Sequence, residues 1–205
     1  MKTLKDQILE KLIINKNSKQ KQVYNYHPKA SLELRNLIDK LIEERGNDAD
    51  LNDIDTSEIT GMSNLFQQSE FNGDISKWDV SNVKYMANMF YGCDEFNGDI
   101  SSWNVSNVET MNGMLAGCSK FNCDISNWDV SNVEDMGGLF CRCSTFNQNI
   151  SKWNVKKVTN MINMFRQASS FNQDISKWHV STKCDKDNIF LDCPLEKNPP
   201  KWYKE

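Results

Sequence analysis

Residues 71–93 read FNGDISKWDVSNVKYMANMFYGC, and the pattern returns four more times along the chain. Phe71 is followed by Phe96, Phe121, Phe146 and Phe171, each 25 residues after the last. Trp78, Trp103, Trp128, Trp153 and Trp178 keep that spacing, as do the columns that begin with Ile75 and Val80. Later in the unit M-x-x-[ML]-[FL] recurs, as Met86/Met89/Phe90, Met111/Met114/Leu115, Met136/Leu139/Phe140 and Met161/Met164/Phe165. A Cys column follows it: Cys93, Cys118, Cys143, then Ala168, then Cys193. This many columns in one register define a tandem repeat, a single packing unit copied and stacked.

The ends of the array are degenerate. Residues 51–66 fit the unit with one residue dropped, so that Leu51, Ile54, Met62 and Phe66 take the places of Ile75, Trp78, Met86 and Phe90. At the far end Lys183 and Lys186 replace an apolar Val and Met. Outer repeats lack a neighbour on one side and are expected to depart from the consensus.

Spacing within the unit suggests a shape. Ile75-x-x-Trp78-x-Val80 has the L-x-x-L-x-L spacing of a leucine-rich-repeat strand. Val83-x-x-Met86-x-x-Met89-Phe90 then switches to a helical or 3₁₀ period. Asn72, Asp74, Ser81 and Asn82 are turn formers. Each unit is therefore predicted to be a short strand, a turn, a short helix and a return. The whole is predicted to be an α/β solenoid, a right-handed stack of about six coils over residues 51–193.

These units resemble the bacterial surface-protein repeats of the Mycoplasma- and Listeria-lipoprotein type, relatives of the BspA-like leucine-rich repeats. The resemblance rests on FNGDISKWDVSNVKYMANMFYGC and its copies, across residues 51–193. It implies a leucine-rich-repeat-like fold, and a surface, adhesion or host-interaction role of the kind described for members of that group.

The flanks divide into three segments. Residues 1–22 hold an amphipathic stretch (Leu4, Ile8, Leu9, Leu12, Ile13) and a polar linker; the stretch either folds back on the cap or binds a partner. In the segment 23–50, Ser31 is placed to cap a helix over 31–45 with the apolar stripe Leu34/Leu37/Ile38/Leu41/Ile42, ended by Gly46. This helix is expected to cap the repeat array. Residues 194–205 form a Pro-rich tail in which Trp202 and Tyr203 are expected to close the other end.

Composition narrows the function. With 39 % hydrophobic and 25 % charged residues the chain has ordinary globular usage rather than that of a disordered one. A net charge of −4 offers no footprint for nucleic acid. No apolar run is long enough to span a bilayer. The N-terminus, interrupted by Lys and Glu, lacks the h-region of a signal peptide. The expected location is cytoplasmic, with the cell surface implied by the family resemblance.

Several columns invite chemistry. Stacked Trp residues can bind sugars or bases, but Trp78 occupies an inward position and core packing is the expectation. Neighbours in the Cys column are badly placed for disulfides, and Cys141-x-Cys143 has no His nearby for zinc, so small buried thiols in a reducing compartment are expected. Asn72-x-Asp74 and its copies could hold calcium, yet they fit backbone satisfaction in their own or the next coil better. No catalytic motif appears, so neither an enzyme nor a cofactor is expected.

The outward positions vary instead. Lys77, Asn127, Lys152 and Lys177 lie in one column, and Asp79, Asn104, Asp129, Asn154 and His179 in the next. With Lys156 these are the predicted contacts to a protein partner, host or bacterial, of a chain expected to be monomeric. The lysines at 152, 156 and 157 suit an acidic surface. The alternative is an intracellular inhibitor or immunity-like protein that binds another protein.

Overall fold

A computed structural model describes residues 22–204; the amphipathic stretch and most of the linker predicted over 1–22 lie outside the described residues. The repeats stack as expected in order and register. Single parallel bridges join Gly61 to Tyr85, Tyr85 to Thr110, Thr110 to Asp135, Asp135 to Asn160 and Asn160 to Asp185. The first step is 24 residues and the rest are 25, which matches the one-residue deletion in the first unit.

What fills each coil is not what the spacing predicted. Among the described residues there is one α-helix, α1 (Ser31–Arg45), and two 3₁₀ turns, Pro194–Glu196 and Lys201–Tyr203. The bridges are isolated and no strand forms among the described residues, so the α/β solenoid of short strands and short helices is wrong. The supposed strand is closed by turns: Trp78 N–H donates to Ile75 C=O at 3.1 Å and Val83 N–H to Val80 C=O at 2.9 Å. The supposed helix is closed the same way, Met89 to Met86 and Cys93 to Phe90. A helix is blocked because Asn88 and Gly92 have φ of 55° and 71°, and their counterparts in the other coils are also positive.

This accounts for the apolar spacing by other means. In I-x-x-W, V-x-x-V, M-x-x-M and F-x-x-C the two apolar residues are the first and last of one four-residue turn. Both ends of the turn bury and the corner between them lies at or near the surface, apart from the small buried residues Gly113, Ala116 and Gly137. A three-residue apolar period therefore marks consecutive β-turns here.

Between the turns the coils are joined by backbone bonds. N–H groups of Met86, Asn88, Phe90 and Gly92 donate to C=O groups of Thr110, Asn112, Met114 and Ala116 at 2.7–3.0 Å. The same alternate positions do so at the following steps. Two Phe, or one Phe and Leu115, together with one Trp fill the interior of each full coil: Phe90 and Phe96 stack at 4.0 Å, and Trp78 and Trp103 lie parallel at 6.5 Å. All five repeat Trp are buried.

Both ends of the array are satisfied by different chemistry. α1 packs Leu34, Ile38 and Leu41 onto the first coil. Ser31 does not cap the helix, a position held by Ala30. Its hydroxyl donates to Gly61 C=O at 2.6 Å, supplying the donor that a preceding coil would have given. Arg35 Nη1 donates to Asn64 C=O nearby. At the other end Asp192 N–H has no further coil and donates to Glu196 Oε2 at 3.1 Å. Trp202 covers the last Trp of the column, Trp178, at 6.1 Å.

Candidate functional site

Three side-chain ladders occupy residues that sequence reasoning weighed for chemistry. Asn72 Oδ1 accepts Asn97 N–H at 2.9 Å, and Asn97, Asn122 and Asn147 accept from the following coil in turn. Asp74, Asp99, Asp124, Asn149 and Asp174 each accept the N–H two residues on, at 2.9–3.0 Å, forming Asx-turns. The Ser76 N–H holds the Asp74 carboxyl below the usual carboxylate range, and Ser101 does the same for Asp99. Each Trp indole donates to an Ile or Leu carbonyl of the preceding coil, as Trp103 does to Ile75 at 3.2 Å.

All seven cysteines are free, and burial raises every one of their pKa values. Cys93 and Cys193 are pushed up to about 11. The thiols of Cys93, Cys118 and Cys143 donate to carbonyls of the preceding coil at 2.8–3.1 Å. These are protonated, hydrogen-bonded packing groups. Among the described residues no His, Cys, Asp and Glu side chains converge as a metal site, and no helix is long and apolar enough to cross a membrane.

The predicted partner residues Lys77, Asp79, Asn104, Asn127, Asp129, Lys152, Asn154, Lys156, Lys177 and His179 are all exposed. They divide by what their side chains do. Asp79, Asn104, Asp129 and Asn154 use Oδ1 to accept the N–H two residues on, so part of their chemistry is spent on the local turn. The ammonium groups of Lys152, Lys156 and Lys177 form no ion pair among the described residues, whereas Lys84 pairs with Glu109 and Lys120 with Glu95 across neighbouring coils.

A second surface escaped the sequence reading. On the M-x-x-[ML]-[FL] side of the coils lies a groove of about 530 Å³, with Gly92, Ala116 and Gly117 along it, Tyr91 and Asp94 toward one end, and Arg142 and Arg166 toward the other. Tyr91 is 41 % exposed, one of few large apolar side chains left open. Arg142 Nε donates to Gln167 Oε1 at 3.0 Å, and the buried Nε of Arg166 has no hydrogen-bond partner among the described residues. The signal was present as two Arg in columns otherwise filled by Gln, Gly, Ala, Cys, Tyr, Leu or Asp, none of them basic.

The sequence matches the family described as Mycoplasma protein of unknown function, DUF285, over residues 34–136 and again over 121–202. The two matches together run from within α1 to the closing Trp202, and the chain belongs to this family. That fits a bacterial repeat family and carries no assigned function. No curated protein and no solved structure gives a significant match.

Proposed function

We propose that this protein is a non-catalytic binding module that recognises an acidic protein surface through exposed turn corners, the Ile-x-x-Trp corner carrying Lys152 and Lys177 on adjacent coils and the next corner along the chain carrying Lys156. The observation behind this reading is that these three ammonium groups form no ion pair among the described residues, in a stack where Lys84 and Lys120 are paired between coils. The inward columns are committed to packing and their polar atoms to backbone satisfaction, so variation from coil to coil is concentrated on the outside. The resemblance to bacterial surface-protein repeats, the BspA-like group among them, supports a role in binding.

The test is affinity capture from cell extract with the native protein and with K152E/K156E/K177E. Specific partners should be retained by the first and lost by the second, with unchanged Trp emission showing an intact fold. Identical capture by both proteins refutes the assignment to these corners. Seven free thiols favour a second reading, in which the partner is met in a reducing compartment and the protein acts as an intracellular inhibitor. Cell fractionation separates this from adhesion.

A further inference from the structure

The groove beside Tyr91 is electrically polarised along the stack. It continues into a second depression of about 500 Å³ that shares Gln68, Gly92 and Asp94 and adds Asp48. At that end the carboxylates of Asp48 and Asp94 have no hydrogen-bond or ion-pair partner among the described residues. At the other end the same holds for ion pairs of Arg142 and Arg166, which sit on adjacent coils joined by the Arg142 N–H to Arg166 C=O bond at 2.8 Å. The other two arginines of the chain are engaged, Arg35 on Asn64 and Arg45 on Asp53. Asp94 and the two arginines line one groove, yet they form no ion pair with each other among the described residues.

Between the charged ends the trough carries little side-chain bulk. Gly92 and Gly117 have φ of 71° and 81°, a conformation that disfavours larger residues, and Ala116 lies between them in sequence register. The distance from the Gln68 coil to the Arg166 coil is four steps, or about 19 Å at about 4.8 Å per step. An extended peptide rises about 3.3 Å per residue, so about six residues span it. A small anion would meet the arginines and leave the carboxylates unanswered. A linear segment with opposite charges at its two ends answers both.

We propose that this groove binds an extended peptide segment of a partner protein, with an acidic side chain against Arg142 and Arg166 and a basic one against Asp48 and Asp94. Tyr91, open beside the floor, offers an aromatic face to the apolar residues between. This surface shares no residue with the lysine corners and stands or falls independently of them.

Fluorescence anisotropy with blocked, labelled six-residue peptides tests the proposal. One carries Lys and Glu at its two ends with Ala, Leu and Ser between. Controls have Gln at both ends, Glu at both ends, or Lys and Glu side by side in the middle. The end-charged peptide should bind the native protein at least about fivefold more tightly than each control. R142E/R166E should lose that preference and favour a peptide with Lys at both ends, a gain that an unfolded variant would not show. K152E/K156E/K177E should bind the peptides as the native protein does. Equal binding of all peptides, no binding to about 1 mM, or an unaltered preference in R142E/R166E overturns the groove proposal and leaves the lysine-corner reading untouched.

Discussion

The indole of Trp202 donates to the carbonyl of Ile175 at 2.9 Å, the bond that Trp178 makes to Ile150 and Trp153 to Ile125. Trp202 stands outside the 25-residue register, in a 3₁₀ turn held by Pro200. It nevertheless completes the Trp column by making the next indole's contact with the last full coil. The tail is thus a cap that imitates a coil with a single side chain. Replacing Trp202 with Ala should uncover Trp178 and leave the Ile175 carbonyl to water. The expected cost is about 3 kcal/mol in urea unfolding, the lower range for an aromatic-to-Ala change, because the site is at an end. Trp emission should shift to the red as Trp178 becomes wet. A cost below about 1 kcal/mol would mean that the tail does not hold the array closed.

A second prediction concerns the turn corners. Asn64, Asn88, Gly113, Gly138, Asn163 and Asn188 occupy one column, and all have positive φ near 60°. Asn and Gly are the residues that tolerate this region. Asn188 lies exposed on the last coil, which isolates the backbone effect from packing. Asn188→Gly should leave stability within about 0.5 kcal/mol, while Asn188→Ile should cost about 1–2 kcal/mol. Matched thermal or urea midpoints decide it; equal stability of the two variants would remove the dihedral basis for the column.

That column also shows what the sequence could and could not reveal. The period, the register and the buried set were legible, because apolar residues recurring in register every 25 positions mark a unit that buries the same face in each copy. The one-residue deletion before residue 66 was legible for the same reason. The conformation inside the coil was not. Ile75-x-x-Trp78 and Met86-x-x-Met89 fit a strand-to-helix unit and a series of turns equally well on apolar spacing alone. The Asn/Gly column at 88, 113, 138 and 163 distinguishes them, since a helix has no use for a positive-φ residue in its middle. The three lysines were visible at outward positions, whereas Tyr91, Arg142 and Arg166 fall just past the segment predicted as helix, in a return that carried no outward column of its own.

The asparagine ladder makes a directional prediction. Asn122 Oδ1 accepts Asn147 N–H at 3.0 Å and also the side chain of Gln148. Asn122→Ala strands that N–H, at a cost of about 1–3 kcal/mol if water does not replace the acceptor. Hydrogen exchange should quicken at Asn147, on the following coil, and not at Asn97, on the preceding one. Exchange that quickens equally on both sides would indicate general loosening.

The Asx-turn carboxylates give a pH dependence of fixed sign. Asp74, Asp99, Asp124, Asp129 and Asp174 all titrate below the usual range because Ser N–H and hydroxyl groups hold the charged form. Their folded pKa values are lowered, so their contribution is present above the ordinary carboxylate pKa of about 3.9 and fades as pH falls through the lower folded values. The melting temperature should therefore hold from pH 7 to about 5 and decline below that. Asn149 shows that an amide serves the same turn without a charge. D74N/D99N/D129N should keep the turns and reduce the acid decline; an unchanged acid limb would assign it to other carboxylates.

The thiols extend the same logic to reactivity. Only thiolate attacks a disulfide reagent, and a thiol at pKa about 11, as at Cys93, is almost wholly protonated at neutral pH. Cys93, Cys118 and Cys143 are in addition inaccessible and bonded to the preceding coil's carbonyls. Cys123 and Cys141 are half-buried and should react first, slowly, with the others following only on unfolding. Cys141 lines the arginine groove, so its labelling rate also reports on that surface. Time-resolved thiol titration of the native protein should show two slow-reacting groups and five that wait for denaturant. Rapid labelling of the column cysteines would mean that the coils part in the native state, and with that the tight stacking through Phe and Trp would have to be abandoned.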